Sequence, residues 1–379
     1  MADIPAEAVG HSIRAARKAL GLRQADLSAL TGLPTSHLSD IERGAVLPTI
    51  PTLRRLSAAL GRPIEYFLQQ EPVRPRFMGM VIHRTTIGGQ AAARFAQLVE
   101  AKTAGEIKLR IYYCAELGTQ AEQLEALVEG PIHLYVDEPL CFERYAELCG
   151  PVFLPYFFAD REQYHRFLQS SIAQEWIWQK LLDRGIRVLN PASNWECGSF
   201  EILFSTQPLF SPSDLAGRKF RAYPSRAAVG LRQALGAQAV VVEWSQVYHA
   251  FRSKQIDTFL VPAAYFLSTQ VYEVARYATL LWSGYTLNLT IAIGEREYSA
   301  LPPHVQKILV EAAREAGEYC TALAQERTAT DLERLTQEFG VPVIHPDQQA
   351  WRAGFSAAIE SICTEGLLPE QLYRQLKAL

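Results

Sequence analysis

The sequence predicts an all-α helix-turn-helix domain followed by a two-lobed α/β domain. Residues 21–44, GLRQADLSALTGLPTSHLSDIERG, hold two short helical stretches around a glycine-containing turn. From residue 77 onward, strand-like and helix-like stretches alternate in two blocks. At 379 residues the chain has room for two or three cores.

Helical periodicity starts at Val9, with Ile13, Ala16 and Leu20 as the inward face, and Gly21 stops it. A second helix is expected over Gln24–Thr31, with Leu27 and Leu30 inward. Gly32 suits a left-handed turn and Pro34 the start of a third helix, which runs to about Arg43 before Gly44. A fourth, TIPTLRRLSAALG, offers Leu53, Leu56 and Leu60 to the core.

Composition is ordinary for a globular protein, with 49% hydrophobic and 20% charged residues. The charge is unevenly spread. Residues 9–69 carry eight Lys/Arg against four Asp/Glu, whereas the whole chain is at −3. Basic charge therefore collects where a polyanion would need it. No apolar run of transmembrane length and no signal-peptide pattern is seen, so a cytoplasmic protein without a membrane partner is expected. The six cysteines form no C-x-x-C pair and the eight histidines are scattered. No metal site, disulfide framework or cofactor is expected. G-x-S-x-G, P-loop and H-E-x-x-H motifs are absent, which points away from an enzyme.

On the third helix Leu38 and Ile41 share the inward face. Ser36, Ser39, Asp40 and Arg43 face the other way, with Thr35 at the tip. Short polar side chains and an arginine are the kinds that touch base edges and phosphates. Gln24 opens the preceding helix, where its amide can hold a phosphate. This segment resembles the XRE (lambda-repressor-like) family. The shared features are the Q-x-x-L opening, the IERG end and the final L-x-x-L-x-x-A-L-G helix. The resemblance implies operator-DNA binding, as a dimer, through Gln24, Thr35, Ser36, Ser39, Asp40 and Arg43. Asp40 departs from a phosphate-friendly surface. It either accepts from a cytosine amino group or is held by Arg43.

Beyond a linker at 71–80, a ligand-sensing domain is expected over 81–379, the helix-turn-helix domain taking 1–70. MGMVIH, IKLRIYY and IHLYV read as strands, with GGQAAARFAQLVEAKT and TQAEQLEALVEG as helices between them. This alternation implies a mostly parallel sheet. Residues 161–184 read as helical. A second block runs from CGSFEILFS through KFRAY, QAVVV and TFLVP, followed by a long helix over 302–339 and a short strand, VPVI.

Residues 77 to about 345 resemble the solute receptors of TRAP-type transporters. The most specific piece is SDLAGRKFRA followed by LGA…WSQVY; FLPYFFADREQYHRFL and VYEVARYAT lie in the matching order. The resemblance implies a periplasmic-binding-protein-like fold of type II, with a clamp closing on an organic anion. It makes Arg221 the bidentate partner of a ligand carboxylate and Trp244 an aromatic wall. Tyr265, Trp195, Trp282 and Asp137 are further cleft candidates. Two departures stand out: Glu201 sits where a second arginine is common, and Val261 where an asparagine is. A Glu facing Arg221 suits a zwitterion; alternatively the two pair and leave an apolar pocket.

The combined expectation is a one-component transcriptional regulator. Operator DNA and a small organic-acid or zwitterionic metabolite would be its partners, and a homodimer its state. The alternatives are a metabolic enzyme, or an inert dimerisation body, tethered to a DNA-binding domain.

Overall fold

The structure is a computed structural model, which describes residues 6–68, 75–198, 200–263, 265–282 and 287–379. Two units separate: residues 1–76 with 96–110, and residues 77–95 with 111–379. The expected linker, 71–80, lies partly outside the described residues, and its last five form a strand.

The first unit holds helices α1 (Ala6–Ala19), α2 (Gln24–Thr31), α3 (Thr35–Glu42), α4 (Ile50–Leu60) and α5 (Ile64–Leu68). Val9, Ile13, Leu27, Leu38, Ile41, Leu53, Leu56, Leu60 and Phe67 fill its core. Gly32 closes α2 at φ +68°, a conformation that favours glycine, so the chain turns directly into α3. Two inward assignments fail. Leu30 is 61% exposed and Leu20 53%. The core side of α2 is Leu27 and Thr31, spaced i,i+4, and Leu30 lies off that stripe. Helix α1 ends at Ala19, so Leu20 leaves its face, and Arg17 is buried in the last turn instead.

Gly10 has a role that periodicity does not reveal. A Cβ built there would sit 2.1 Å from the carbonyl oxygen of Ile41. Helices α1 and α3 thus meet backbone to backbone, and only glycine fits. Residues 96–110 complete this unit. Arg62 Nη1 donates to Glu106 Oε2 at 2.7 Å, and the Tyr66 hydroxyl to the carbonyl of Ala104 at 2.7 Å.

The α/β part is two mixed sheets. The first has strands β1 (Arg76–Met80), β2 (Leu109–Tyr112), β3 (Leu134–Asp137), β4 (Ile186–Val188) and β10 (Thr290–Gly294), in the order β2-β1-β3-β10-β4. The second has β5 (Phe200–Ser205), β6 (Lys219–Ala222), β7 (Gln238–Val241), β8 (Thr258–Pro262), β9 (Tyr277–Trp282) and β11 (Val343–Ile344), in the order β11-β9-β5-β8-β6-β7. The expectation of mostly parallel sheets is corrected. β10 runs antiparallel to both β3 and β4, and β5 antiparallel to both β8 and β9. β1–β3, β6–β7, β6–β8 and β9–β11 are parallel, so each sheet mixes the two directions. A strand inserted from a distant part of the chain leaves no local signature of its direction.

Helix α6 (Ile87–Lys102) follows β1, and α7 (Gln120–Glu129) precedes β3. Thr119 caps α7: its hydroxyl accepts from Glu122 N while Glu122 Oε2 accepts from Thr119 N at 2.7 Å. Helix α8 (Arg226–Ala234) starts at Ser225, whose hydroxyl accepts from Ala228 N. The long helix α9 (Pro303–Gln337) and α10 (Gln348–Ile362) follow. One aromatic-rich core runs from Phe142, Phe157 and Phe158 through Leu203 and Phe220 to Trp351 and Phe355.

Candidate functional site

In the first unit, Thr35 and Ser36 of α3 and Arg43 just after it are exposed, and Ser39 and Asp40 are exposed in part. The polar face expected there is the open face. Arg43 Nη2 lies 2.5 Å from Asp40 Oδ1, so of the two readings of Asp40 the structure displays the one in which arginine holds it. Both side chains are exposed, so the pair contributes little stability and can be remade.

Gln24 is half-buried, and its Nε2 donates to Glu42 Oε2 at 2.8 Å. One N–H of the amide expected to hold a phosphate is thus engaged inside the motif. Glu42 also receives Arg17 Nε at 2.5 Å and Arg17 Nη2 at 2.8 Å. Arg17 Nη1 donates to the carbonyl of Leu22 at 2.7 Å. Glu42 ends α3, Arg17 sits in α1 and Gln24 starts α2, so one buried acid ties three helices. Burial alone pushes Glu42 up, but the bonds from Arg17 and Gln24 outweigh it and leave its pKa lowered. The sequence hints at this only as charges on two inward positions.

In the second unit some of the candidate residues lie at or just beyond the carboxyl ends of β3, β6 and β7, where open α/β sheets place ligands. Arg221 lies on β6 and is 2% exposed. Its Nε donates to the carbonyl of Val242 at 3.0 Å, while its buried Nη1 has no partner among the described residues. The Tyr223 ring covers the guanidinium face at 3.9 Å, with Trp244 and Phe259 each at 5.9 Å. Tyr265 packs edge-on against Trp244, and its hydroxyl meets Cys197 Sγ at 2.9 Å. Arg221, Trp244 and Tyr265 are therefore brought together.

Glu201, on β5, is buried, and its Oε2 has no partner among the described residues. It is not paired with Arg221. Burial pushes it up to about 7. Asp137, at the end of β3, is a saturated acid. It accepts from Gln120 Nε2 at 2.6 Å, the Tyr135 hydroxyl at 2.5 Å and Glu138 N at 2.8 Å. Burial still raises its pKa. Trp195 is fully buried against Phe95, and its Nε1 donates to the carbonyl of Ala313 at 2.7 Å, so α9 takes up its polar end. Trp282 is 42% exposed beneath the Arg352 guanidinium, and Val261 is buried on β8.

Three members of the cluster were not foreseen. Glu138 follows β3, and its Oε1 accepts from the Tyr223 hydroxyl at 3.2 Å. Burial, with the nearby Asp137 charge, pushes Glu138 up to about 8. Arg232 on α8 is buried; its Nε donates to the carbonyl of Arg221 at 3.3 Å, and burial lowers it to about 10. Period two along β6 would have found Tyr223, because residues 221 and 223 share a face. Arg232 stands on the apolar stripe of α8 with Ala228 and Leu231, an arginine where the pattern asks for a hydrocarbon.

Glu138, Glu201, Tyr223 and Arg232 line a cavity of about 20 Å³, room for one water. Tyr223 also lines a neighbouring cavity of about 90 Å³ with Gln120, Cys141 and Ser225. The Tyr223 ring stands over the Arg221 guanidinium, so a guest meeting that face would displace it. A roomier groove of about 450 Å³ lies along Phe200, Trp282 and α9. Its buried acid, Glu196, is already paired with Arg161 at 2.7 and 2.9 Å, so that groove offers a guest no comparable unmet charge. Among the described residues, no cluster of His, Cys, Asp or Glu is arranged to hold a metal ion, and no helix is long and apolar enough to cross a membrane.

Residues 78–365 match the family model of bacterial extracellular solute-binding proteins, family 7, and residues 13–67 match a helix-turn-helix model. A C4-dicarboxylate-binding periplasmic protein of Rhodobacter capsulatus is 28% identical over 296 residues, covering 78% of this chain and 86% of the relative. A 2,3-diketo-L-gulonate-binding periplasmic protein of Escherichia coli is 26% identical over 254 residues, covering 67% and 76%. Among solved structures, a TRAP periplasmic solute-binding protein from Sulfurospirillum deleyianum with bound succinate superposes with a TM-score of 0.72. It is 21% identical and covers 81% of this chain and 99% of that one. With a match over residues 78–365, the chain belongs to the bacterial extracellular solute-binding protein family 7, with a helix-turn-helix segment ahead of the receptor fold.

Proposed function

We propose that this protein is a ligand-responsive transcriptional regulator. The helix-turn-helix binds operator DNA as a dimer, and the receptor fold grips a small carboxylate-bearing metabolite that alters that binding. The supporting observation is Arg221, a buried guanidinium with an unpartnered Nη1 behind a displaceable tyrosine ring. A buried arginine without a carboxylate is costly unless a guest supplies one. The fork geometry matches a carboxylate with parallel hydrogen bonds. The receptor relatives support the ligand class, and the open polar face of α3 supports the DNA.

Coupling must be reciprocal: a ligand that changes operator affinity has its own affinity changed equally by the operator. The test uses operator fragments selected from random DNA with the full chain. Two half-sites about 34–36 Å apart are expected in the footprint. A carboxylate that stabilises the protein in a melting screen should shift operator affinity by roughly 5–150-fold. Arg221→Ala should abolish that shift while keeping the footprint. Unchanged ligand affinity in Arg221→Ala refutes the arginine's role, and a ligand that binds without moving operator affinity refutes the regulator.

A further inference from the structure

We infer that the guest gripped at Arg221 carries a protonated amine as well as a carboxylate, with Glu201 and Glu138 as the pole that receives the amine. This rests on the clamp reading above and narrows it. Among the described residues, two buried charged side chains at the site each keep an atom without a partner, and the two are of opposite polarity. Arg221 Nη1 needs an acceptor and Glu201 Oε2 needs a donor. An arginine carries only donors and a carboxylate only acceptors, so neither can be completed by the kind of group that completes the other. A guest with a carboxylate at one end and N–H donors at the other completes both. A dicarboxylate would set an acceptor against Glu201.

Charge points the same way. Three buried carboxylates, Asp137, Glu138 and Glu201, stand against two buried arginines, Arg221 and Arg232. A dianion adds net charge to a poorly solvated place, whereas a zwitterion adds none. Asp137 already accepts from three donors, so of the three acids it is the one best supplied within the protein. Among the described residues, Glu138 accepts one side-chain bond, at 3.2 Å from Tyr223, the residue whose ring covers Arg221. When Tyr223 swings away, Glu138 becomes a second acceptor beside Glu201. Burial raises both acids, and a cation placed between them would relieve that cost.

The test is a matched panel on the full chain, read by calorimetry. It pairs amino acids and ω-amino acids with dicarboxylates and hydroxy acids of the same carbon skeleton, such as 4-aminobutyrate, succinate and 4-hydroxybutyrate. The best amino member should bind at least roughly tenfold tighter than its dicarboxylate and hydroxy counterparts. Glu201→Gln should remove that preference and gain affinity for the dicarboxylate. Glu138→Gln provides a second reading if Glu201→Gln fails to fold. A dicarboxylate or hydroxy acid that outbinds its amino counterpart in the wild type overturns the amine pole and leaves the clamp standing. Silence of the whole panel in the wild type and both variants overturns the clamp as well.

Discussion

Glu42→Ala should unfold the DNA-facing unit while sparing the receptor fold. The side chains of Arg17 and Glu42 are 9% and 2% exposed and meet through two hydrogen bonds, at 2.5 and 2.8 Å. Removing the acid leaves a guanidinium in the core and strands the Gln24 amide. Breaking a buried pair from one side costs about 3–5 kcal/mol. A unit of this size has roughly 5 kcal/mol or little more to lose. Each kcal/mol is worth about 4–8 °C of melting temperature in a 60–100-residue domain, so a drop on the order of 20 °C is expected. The assay is circular dichroism with scanning calorimetry on the full chain, followed by operator binding at 25 °C. The control is Arg17→Met with Glu42→Leu together, which removes the charge and fills its volume and should recover most of the loss. A drop below about 4 °C, or a double variant no better than the single one, refutes the account; either result means the pair is held too loosely to matter. The pH dependence has a definite sign. The folded pKa of Glu42 is lowered from 4.5, so its contribution is complete above that value and is lost as pH falls through the depressed one.

Gly10→Ala should force α1 off α3, because the added carbon would stand 2.1 Å from Ile41 O; loss of operator binding with a lower first melting transition is expected, and wild-type binding refutes it. Arg43→Ala should weaken operator binding by more than one lost cation does, since it frees Asp40 to repel phosphate, and Asp40→Asn should tighten it; equal salt slopes for wild type and Arg43→Ala would exclude a phosphate contact. Tyr223→Phe should lower the receptor unit's stability by about 1–3 kcal/mol, as Glu138 loses the donor at 3.2 Å, and an unchanged melting curve would show that the bond carries no weight.

Legibility in the sequence followed the distance over which each feature is determined. The helix-turn-helix could be read because its signals are local: Gly32 at the turn, Gly44 after α3, and leucines at i,i+3 spacing in α4. Within that motif the error fell on Leu30, where eight residues give too short a window to fix the phase of the apolar stripe. In the α/β part, helices and most strands were visible, but β4, β9 and β10 were not. The antiparallel insertion of β10 between β3 and β4 depends on a chain segment about 150 residues beyond β3, and no local pattern encodes it. Arg221 and Trp244 emerged from family resemblance, and the structure sets them together with Tyr265. Glu138, Tyr223 and Arg232 stayed hidden because their significance is relational. Tyr223 matters through a carboxylate 85 positions away.

Glu42 and Glu201 are the same amino acid, buried to the same degree, at 6% and 7% exposure. The lattice of donors around them gives them opposite roles. Glu42 receives an arginine fork and an amide, all from the same unit, and its pKa falls; every lone pair worth filling is filled, so the residue holds helices together and is closed to any partner. Glu201 keeps an oxygen without a donor, and its pKa rises to about 7. Arg17 and Arg221 divide in the same way, one with each guanidinium nitrogen bonded to Glu42 or Leu22, the other with an Nη1 that has no partner among the described residues, under an aromatic ring. A protein gains no stability from an unfilled buried charge, and folding alone gives no reason to retain one. A bound partner does give such a reason. Saturation, more than burial or residue type, separates the acid that builds this protein from the acid proposed to recognise a guest.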